Sequence, residues 1–239
     1  MTTSNNKNIN VPASELPAPE ENPKDWRDSF QWRTLRILSE FVDGFQFLAD
    51  FNDVQTVTVF GSAMIKEDDH WYKEAKELGL TLAKNKYGVI TGGGPGIMEA
   101  ANRGASEGGG ESIGLNIQLP YEQRINPWVK KGIGFHYFFS RKVMLAYASQ
   151  AYVYFPGGFG TLDESFELAT LIQTKKISQK IPIILVGKGF WTPLIKWMEE
   201  YLYEKHQLIH KEDLSVFSIV NSAEEAFEII KTTPHIKYF

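Results

Sequence analysis

GVITGGGPGIMEAANRGA, residues Gly88 to Ala105, reads as a strand, a glycine turn and a helix in immediate succession. Gly88 to Thr91 is short and apolar, and Gly92, Gly93 and Gly94 end it. Pro95 stands near the first turn of a helix that Gly108 to Gly110 stop. The succession recurs on both sides. Gln55 to Phe60 (QTVTVF) passes through the turn FGSA into a helix with Trp71, Ala75, Leu78 and Leu82 on one face. Downstream come strand SIGLNIQL, an irregular stretch from Pro120 to Gly134, a helix from Ser140 to Gln150, strand AYVYF and a helix beginning near Gly160. Strand IPIILVG, a helix carrying Trp191, Leu194, Ile195, Met198 and Leu202, strand VFSIV and a helix capped by Ser222 complete the series. Short apolar strands alternating with amphipathic helices predict an α/β fold in which helices cover both faces of a mainly parallel sheet. In such a sheet ligands bind beyond the carboxyl ends of the strands, where the strand order reverses.

Composition narrows the function classes. With 239 residues and 43% hydrophobic content the chain can bury a substantial core. Its 25 basic and 29 acidic residues, a formal charge of −4, argue against a broad nucleic-acid surface while allowing a local anion site. The sequence has no cysteine, which removes thiolate metal sites, cysteine nucleophiles and disulfides. Met1 to Lys24 is polar and proline-bearing and is expected to be a flexible tail. Residues 25–239 are then expected to form a single domain, including a helix with Leu38, Phe41, Phe45 and Leu48 on one face. No apolar run approaches the ~20 residues of a membrane span, so a cytoplasmic location without membrane association is expected.

Two glycine turns carry the chemistry: Thr91 to Ala105 (TGGGPGIMEAANRGA) and Pro156 to Glu164 (PGGFGTLDE). Each follows a predicted strand and opens a predicted helix, so each offers close backbone approach and the positive end of a helix dipole, features that suit a phosphate. One such turn alone reads equally well as a tight connection; two at comparable strand ends point to a shared ligand. Neither is G-x-G-x-x-G, and neither ends in Lys-Ser/Thr, so dinucleotide oxidoreductase and triphosphatase readings lose support.

Glu164 follows Thr161 by three residues, a spacing that fits a capping box. A capping role would fold the carboxylate back on its own helix; a catalytic role needs it turned to the cleft. Arg141 and Lys142 open a helix, where cations face an unfavourable dipole unless an anion neutralises them. Three other signals are set aside. Gly104-Ala-Ser-Glu-Gly108 formally reads G-x-S-x-G but lies at a helix end, and His206 and His210 lack the glutamate of H-E-x-x-H. The aromatic stretch His136 to Phe139, with Trp191 and Trp197, is expected in the core rather than as a stacking platform.

Taken together, GGGPGIMEAANRGA (Gly92 to Ala105), SRK (Ser140 to Lys142) and PGGFGTLDE (Pro156 to Glu164) resemble the LOG family of nucleotide phosphoribohydrolases, often mislabelled as lysine decarboxylases. The resemblance covers roughly Val57 to Val186. It implies a Rossmann-like doubly wound fold and hydrolysis of the N-glycosidic bond of a nucleoside 5′-monophosphate, AMP or a cytokinin riboside 5′-monophosphate, to free base and ribose 5-phosphate. It implies Arg141 and Glu164 as the catalytic pair and Gly157, Gly158, Gly160 and Thr161 as the phosphate turn. Gly93, Gly94 and Lys142 join them as expected substrate contacts, and Glu122 and Arg124 are further pocket candidates. No metal and no cofactor are expected, and the resemblance implies a homodimer or a larger homo-oligomer. Ser140 departs from the Met-His-x start usual in shorter members, and Asp163 stands where many have glutamate. The alternative reading is a carrier that holds a phosphorylated cofactor such as a molybdopterin without turnover.

Overall fold

The computed structural model describes residues 29–118 and 125–234; the tail Met1 to Lys24, and Glu122 and Arg124, lie outside them. Two compact units divide the chain between Ser39 and Glu40, and every described strand lies in the second. Seven parallel strands form one sheet: β1 (Thr56–Phe60), β2 (Gly88–Thr91), β3 (Ser112–Ile117), β4 (Lys131–Phe135), β5 (Ala151–Tyr154), β6 (Ile183–Val186) and β7 (Phe217–Val220). Their order is β4-β3-β2-β1-β5-β6-β7. The chain therefore winds outward one way from β1 and the other way from β5, and the switch point lies between those two central strands.

The strands alternate faces, and each face has its own core. Val57, Val59, Ala151 and Val153 pack with α2 (His70–Lys84), α3 (Ile97–Glu107) and α7 (Ala223–Ile230) on one side. Phe60, Leu115, Tyr152 and Tyr154 pack on the other with the C-terminal part of α1 (Phe30–Ala49), α4 (Phe138–Tyr147), α5 (Phe159–Gln173) and α6 (Lys188–Trp197). Helix α6 continues in π geometry over Met198–Lys205. This two-sided burial is why β5 (AYVY) and β6 (IILV) read as continuous runs, and why Thr56 and Thr58 of β1 are buried along with its valines.

The strand β4 was expected to be irregular. Its sequence KGIGF holds two glycines and one lysine, and it occupies the sheet edge, where only one neighbour must be satisfied and most of its residues stay accessible. Of the expected stripe on α1, Leu48 is buried and Phe41 and Phe45 pack against the core, whereas Leu38 is exposed. Gly104, half of the discarded G-x-S-x-G pattern, serves helix packing: a Cβ there would lie 1.9 Å from the Lys76 carbonyl oxygen of α2. Ser222 caps α7, accepting from the Glu225 amide as expected. Among the described residues no helix is long and apolar enough to cross a membrane.

Candidate active site

The loops after β1 and β5 are joined across the switch point. The Phe155 amide donates to the Phe60 carbonyl at 2.9 Å, and the Ser62 amide to the Pro156 carbonyl at 3.0 Å. Beside them opens a cleft of about 380 Å³. Gly92 of the first glycine turn lines it, as do Gly158, Gly160 and Thr161 of the second, and Arg141 and Glu164 border it. Gly93, Gly94, Gly157 and Lys142 do not line it.

Helix α5 starts earlier than its sequence suggests. Gly158 is its N-cap, in extended conformation, and no side chain caps it. Thr161 consequently sits inside the first turn, its hydroxyl packed over Gly157, where a Cβ would lie 2.1 Å from Oγ1. The capping box does not form, and the Glu164 carboxylate is at the cleft instead of on its own helix end. The amides at this end are left for solvent or an anion, reinforced by the helix dipole.

Glu164 is mostly buried, its side chain 13% exposed. Burial pushes its carboxyl up to about 7; the neighbouring acids Glu167 and Asp163 push the same way, against Lys142 and Arg141. Lys142 stands behind it as a charge hub, its Nζ 2.6 Å from Asp163, 3.1 Å from Glu167 and 3.9 Å from Glu164. Burial alone would lower the Lys142 ammonium; the surrounding carboxylates win and its pKa rises.

The Arg141 guanidinium is positioned from two sides. Its Nε donates to the Leu115 carbonyl at the end of β3 at 2.8 Å. Its Nη2 rests on Gly92, where a Cβ would come within 2.3 Å, so only glycine leaves that seat open. Burial pulls the guanidinium below its ordinary pKa, and the charge of Glu164 opposes that fall. The start of α4, which carries Arg141, is fastened by Glu40: its carboxylate accepts from the His136 amide at 2.7 Å, the Tyr137 amide at 3.3 Å and the Ser140 hydroxyl at 2.5 Å. Ser140 is thus a buried anchor for the helix and not part of the cleft lining.

Some contributors were not foreseen. Ser62 and Ala63 of the FGSA turn line the cleft, with Met98, Ile117 and Phe138 as apolar wall. Their signal was available, since FGSA follows a strand at the switch point. Phe138 and Phe139 are 59% and 48% exposed, Trp197 is 48% exposed and His136 is exposed as well, so the expectation of core burial holds for Trp191 and fails for these four. Phe138 and Phe139 open α4, with Phe138 at the cleft, and Trp197 ends α6; apolar spacing alone does not separate a core position from an exposed one.

Comparison with known proteins supplies the family. The model described as possible lysine decarboxylase matches residues 98–230, more than half of the chain. A rice protein named probable cytokinin riboside 5′-monophosphate phosphoribohydrolase LOGL5 is 29% identical over 54% of this chain and 53% of its own length, so the chain matches about half of that relative. A Rhodococcoides fascians protein named cytokinin riboside 5′-monophosphate phosphoribohydrolase is 25% identical over 63% of this chain and 77% of its own. Among solved structures, the molybdenum cofactor carrier protein of Chlamydomonas reinhardtii superposes with a TM-score of 0.57 at 23% identity, covering 75% of this chain and 98% of that one, a likeness of fold. With a doubly wound parallel sheet, glycine turns after β2 and β5 and this match over residues 98–230, the chain belongs to the LOG family, the family described as possible lysine decarboxylase.

Proposed function

We propose that the chain hydrolyses the N-glycosidic bond of a nucleoside 5′-monophosphate, AMP or a cytokinin riboside 5′-monophosphate, giving free base and ribose 5-phosphate. The observation that carries this reading is one cleft bordered by Arg141, Glu164 and the uncapped start of α5. The phosphate sits against the amides of Gly158, Gly160 and Thr161, where the helix end favours an anion. Cleavage of the C1′–N bond leaves positive charge on the ribose ring, and the ionised Glu164 carboxylate stabilises it, as carboxylates do in glycoside hydrolysis. The same carboxylate orients the attacking water, whose oxygen bonds to C1′ while the departing base takes up a proton. Arg141 anchors the substrate and holds the carboxylate in place. Phosphate contacts remote from the breaking bond supply the binding energy for this alignment. The names of the rice and Rhodococcoides relatives support the reaction class.

Decarboxylation through a lysine Schiff base fits less well. Such a lysine needs a neutral amine, and Lys142 is held charged among three carboxylates. The reading carries with it a homodimer working in the cytoplasm. It is tested by incubating the full chain with a panel of nucleoside monophosphates and following free base by chromatography. Base release that Glu164→Ala abolishes is expected. Retention of a phosphorylated ligand with no base released from any monophosphate would instead favour the carrier reading.

A further inference from the structure

Beneath the first glycine turn lies a buried polar network that the cleft does not touch. Thr91, Asn102 and Ser112 are fully buried, and Asn126 is 6% exposed. The Thr91 hydroxyl accepts from the Gly93 amide at 2.9 Å and donates to Asn102 Oδ1 at 2.6 Å. Asn102 Nδ2 donates to Ser112 Oγ at 3.0 Å and to the Ile113 carbonyl at 3.3 Å. Asn126 then takes hold of the turn from the far side. Its amide donates to the Gly93 carbonyl at 2.8 Å, and its Nδ2 donates to the Gly94 carbonyl and to Asn102 Oδ1, each at 3.0 Å. The polar groups are paired donor to acceptor, and a satisfied buried network of this kind fixes one geometry.

The fixed geometry ends at the catalytic arginine. Gly92 is the residue next to this clamp, and the Arg141 guanidinium rests on it with no room for a methyl group. A turn free to shift by even a small distance would move the guanidinium's seat. We propose that Asn126 is a positioning residue which, by pinning the carbonyls of Gly93 and Gly94, holds Gly92 as the seat of Arg141 and so sets the guanidinium's place in the cleft. The role in catalysis rests on the hydrolase reading; the role in seating Arg141 does not.

Asn126→Asp separates the two ends of the side chain. The aspartate keeps the acceptor for the Trp128 amide, which Asn126 Oδ1 now engages at 3.1 Å, but turns a carboxylate oxygen towards two acceptors, the Gly94 carbonyl and Asn102 Oδ1. Thr91→Val removes the hydroxyl at nearly constant volume, and Thr91→Ser restores it. Two readouts apply: steady-state kinetics with AMP, and the rate of Arg141 modification by phenylglyoxal, followed by peptide mass on the folded full chain. Expected for Asn126→Asp and Thr91→Val is a kcat at least ~10-fold lower with KM within about 3-fold, and Arg141 modified at least ~3-fold faster, with Thr91→Ser close to the parent in both. Arg141 modified at the parental rate in variants that retain a cooperative thermal transition would overturn the proposal. Should Asn126→Asp fail to fold, Asn126→Ser, which drops both Nδ2 bonds without adding a charge, is read in the same two assays. If the parent releases no base from any monophosphate, the hydrolase reading falls while the modification rates still judge the seating of Arg141.

Discussion

The turn at Gly92 to Gly96 and the turn at Pro156 to Gly160 are written in the same residues and built to opposite ends. The first is tied from within: Thr91 and Asn126 hold the polar groups of Gly93 and Gly94, and Gly92 is pressed against a guanidinium. The second is open. A Cβ added at Gly158 or Gly160 would meet no atom within 4 Å, both residues are exposed, and no side chain caps the helix they begin. One glycine turn is a braced wall on which the Arg141 guanidinium rests, and the other leaves the start of α5 without a side-chain cap. Glycine count and spacing do not distinguish these uses; the partners that reach each turn do.

Substitutions can break or sharpen this contrast. The largest effect is expected between the turns, at Glu164→Gln. Removing the charge at constant shape should lower kcat for AMP at least ~100-fold with little change in KM, measured by base release. Thermal stability should move the other way. The folded pKa of about 7 lies above that of an unfolded glutamate, so the parent is most stable while Glu164 is protonated and loses stability as pH rises from about 4.5 through 7. The glutamine variant escapes that loss, and its Tm advantage should widen between pH 5 and pH 8.

Next is Gly92→Ala, which puts a methyl group where Arg141 Nη2 lies. The guanidinium must move, and kcat should fall roughly 10- to 100-fold. Gly158→Ala is the counterpart on the open turn. Its methyl meets no protein atom, so Tm should hold, and the cost should appear as a KM for AMP raised about 3- to 10-fold. Equal and mainly structural losses at both positions would erase the contrast. The smallest effect is expected at Lys142→Met. Without the ammonium that favours its ionised form, Glu164 should titrate higher, and the rising limb of kcat/KM against pH should shift above its parental midpoint near 7.

Much of this was legible in the sequence. Six of the seven strands announce themselves as short β-branched or apolar segments bounded by turns, and the two glycine turns fall at strand ends as their spacing requires. Strand β4 was hidden because an edge strand needs neither apolar residues nor β-branched ones. Arg141 and Glu164 were identifiable as residues, but their relation was not. Whether Glu164 capped its helix depended on where α5 begins, and Gly158 rather than Thr161 takes that position. The supports of Arg141 were out of reach for another reason. Glu40 lies about a hundred residues before it, and the Asn126 side chain acts on a carbonyl 32 residues upstream; side-chain bonds over such separations leave no periodicity to read.

In the proposed reaction the phosphate is held at the open turn so that Glu164 faces the sugar. A crystal structure with ribose 5-phosphate tests it most directly. The phosphate oxygens are expected within hydrogen-bond reach of the Gly158, Gly160 and Thr161 amides, with C1′ beside the Glu164 carboxylate. A phosphate lodged at Gly93 and Gly94, or a C1′ turned away from Glu164, would rule that arrangement out.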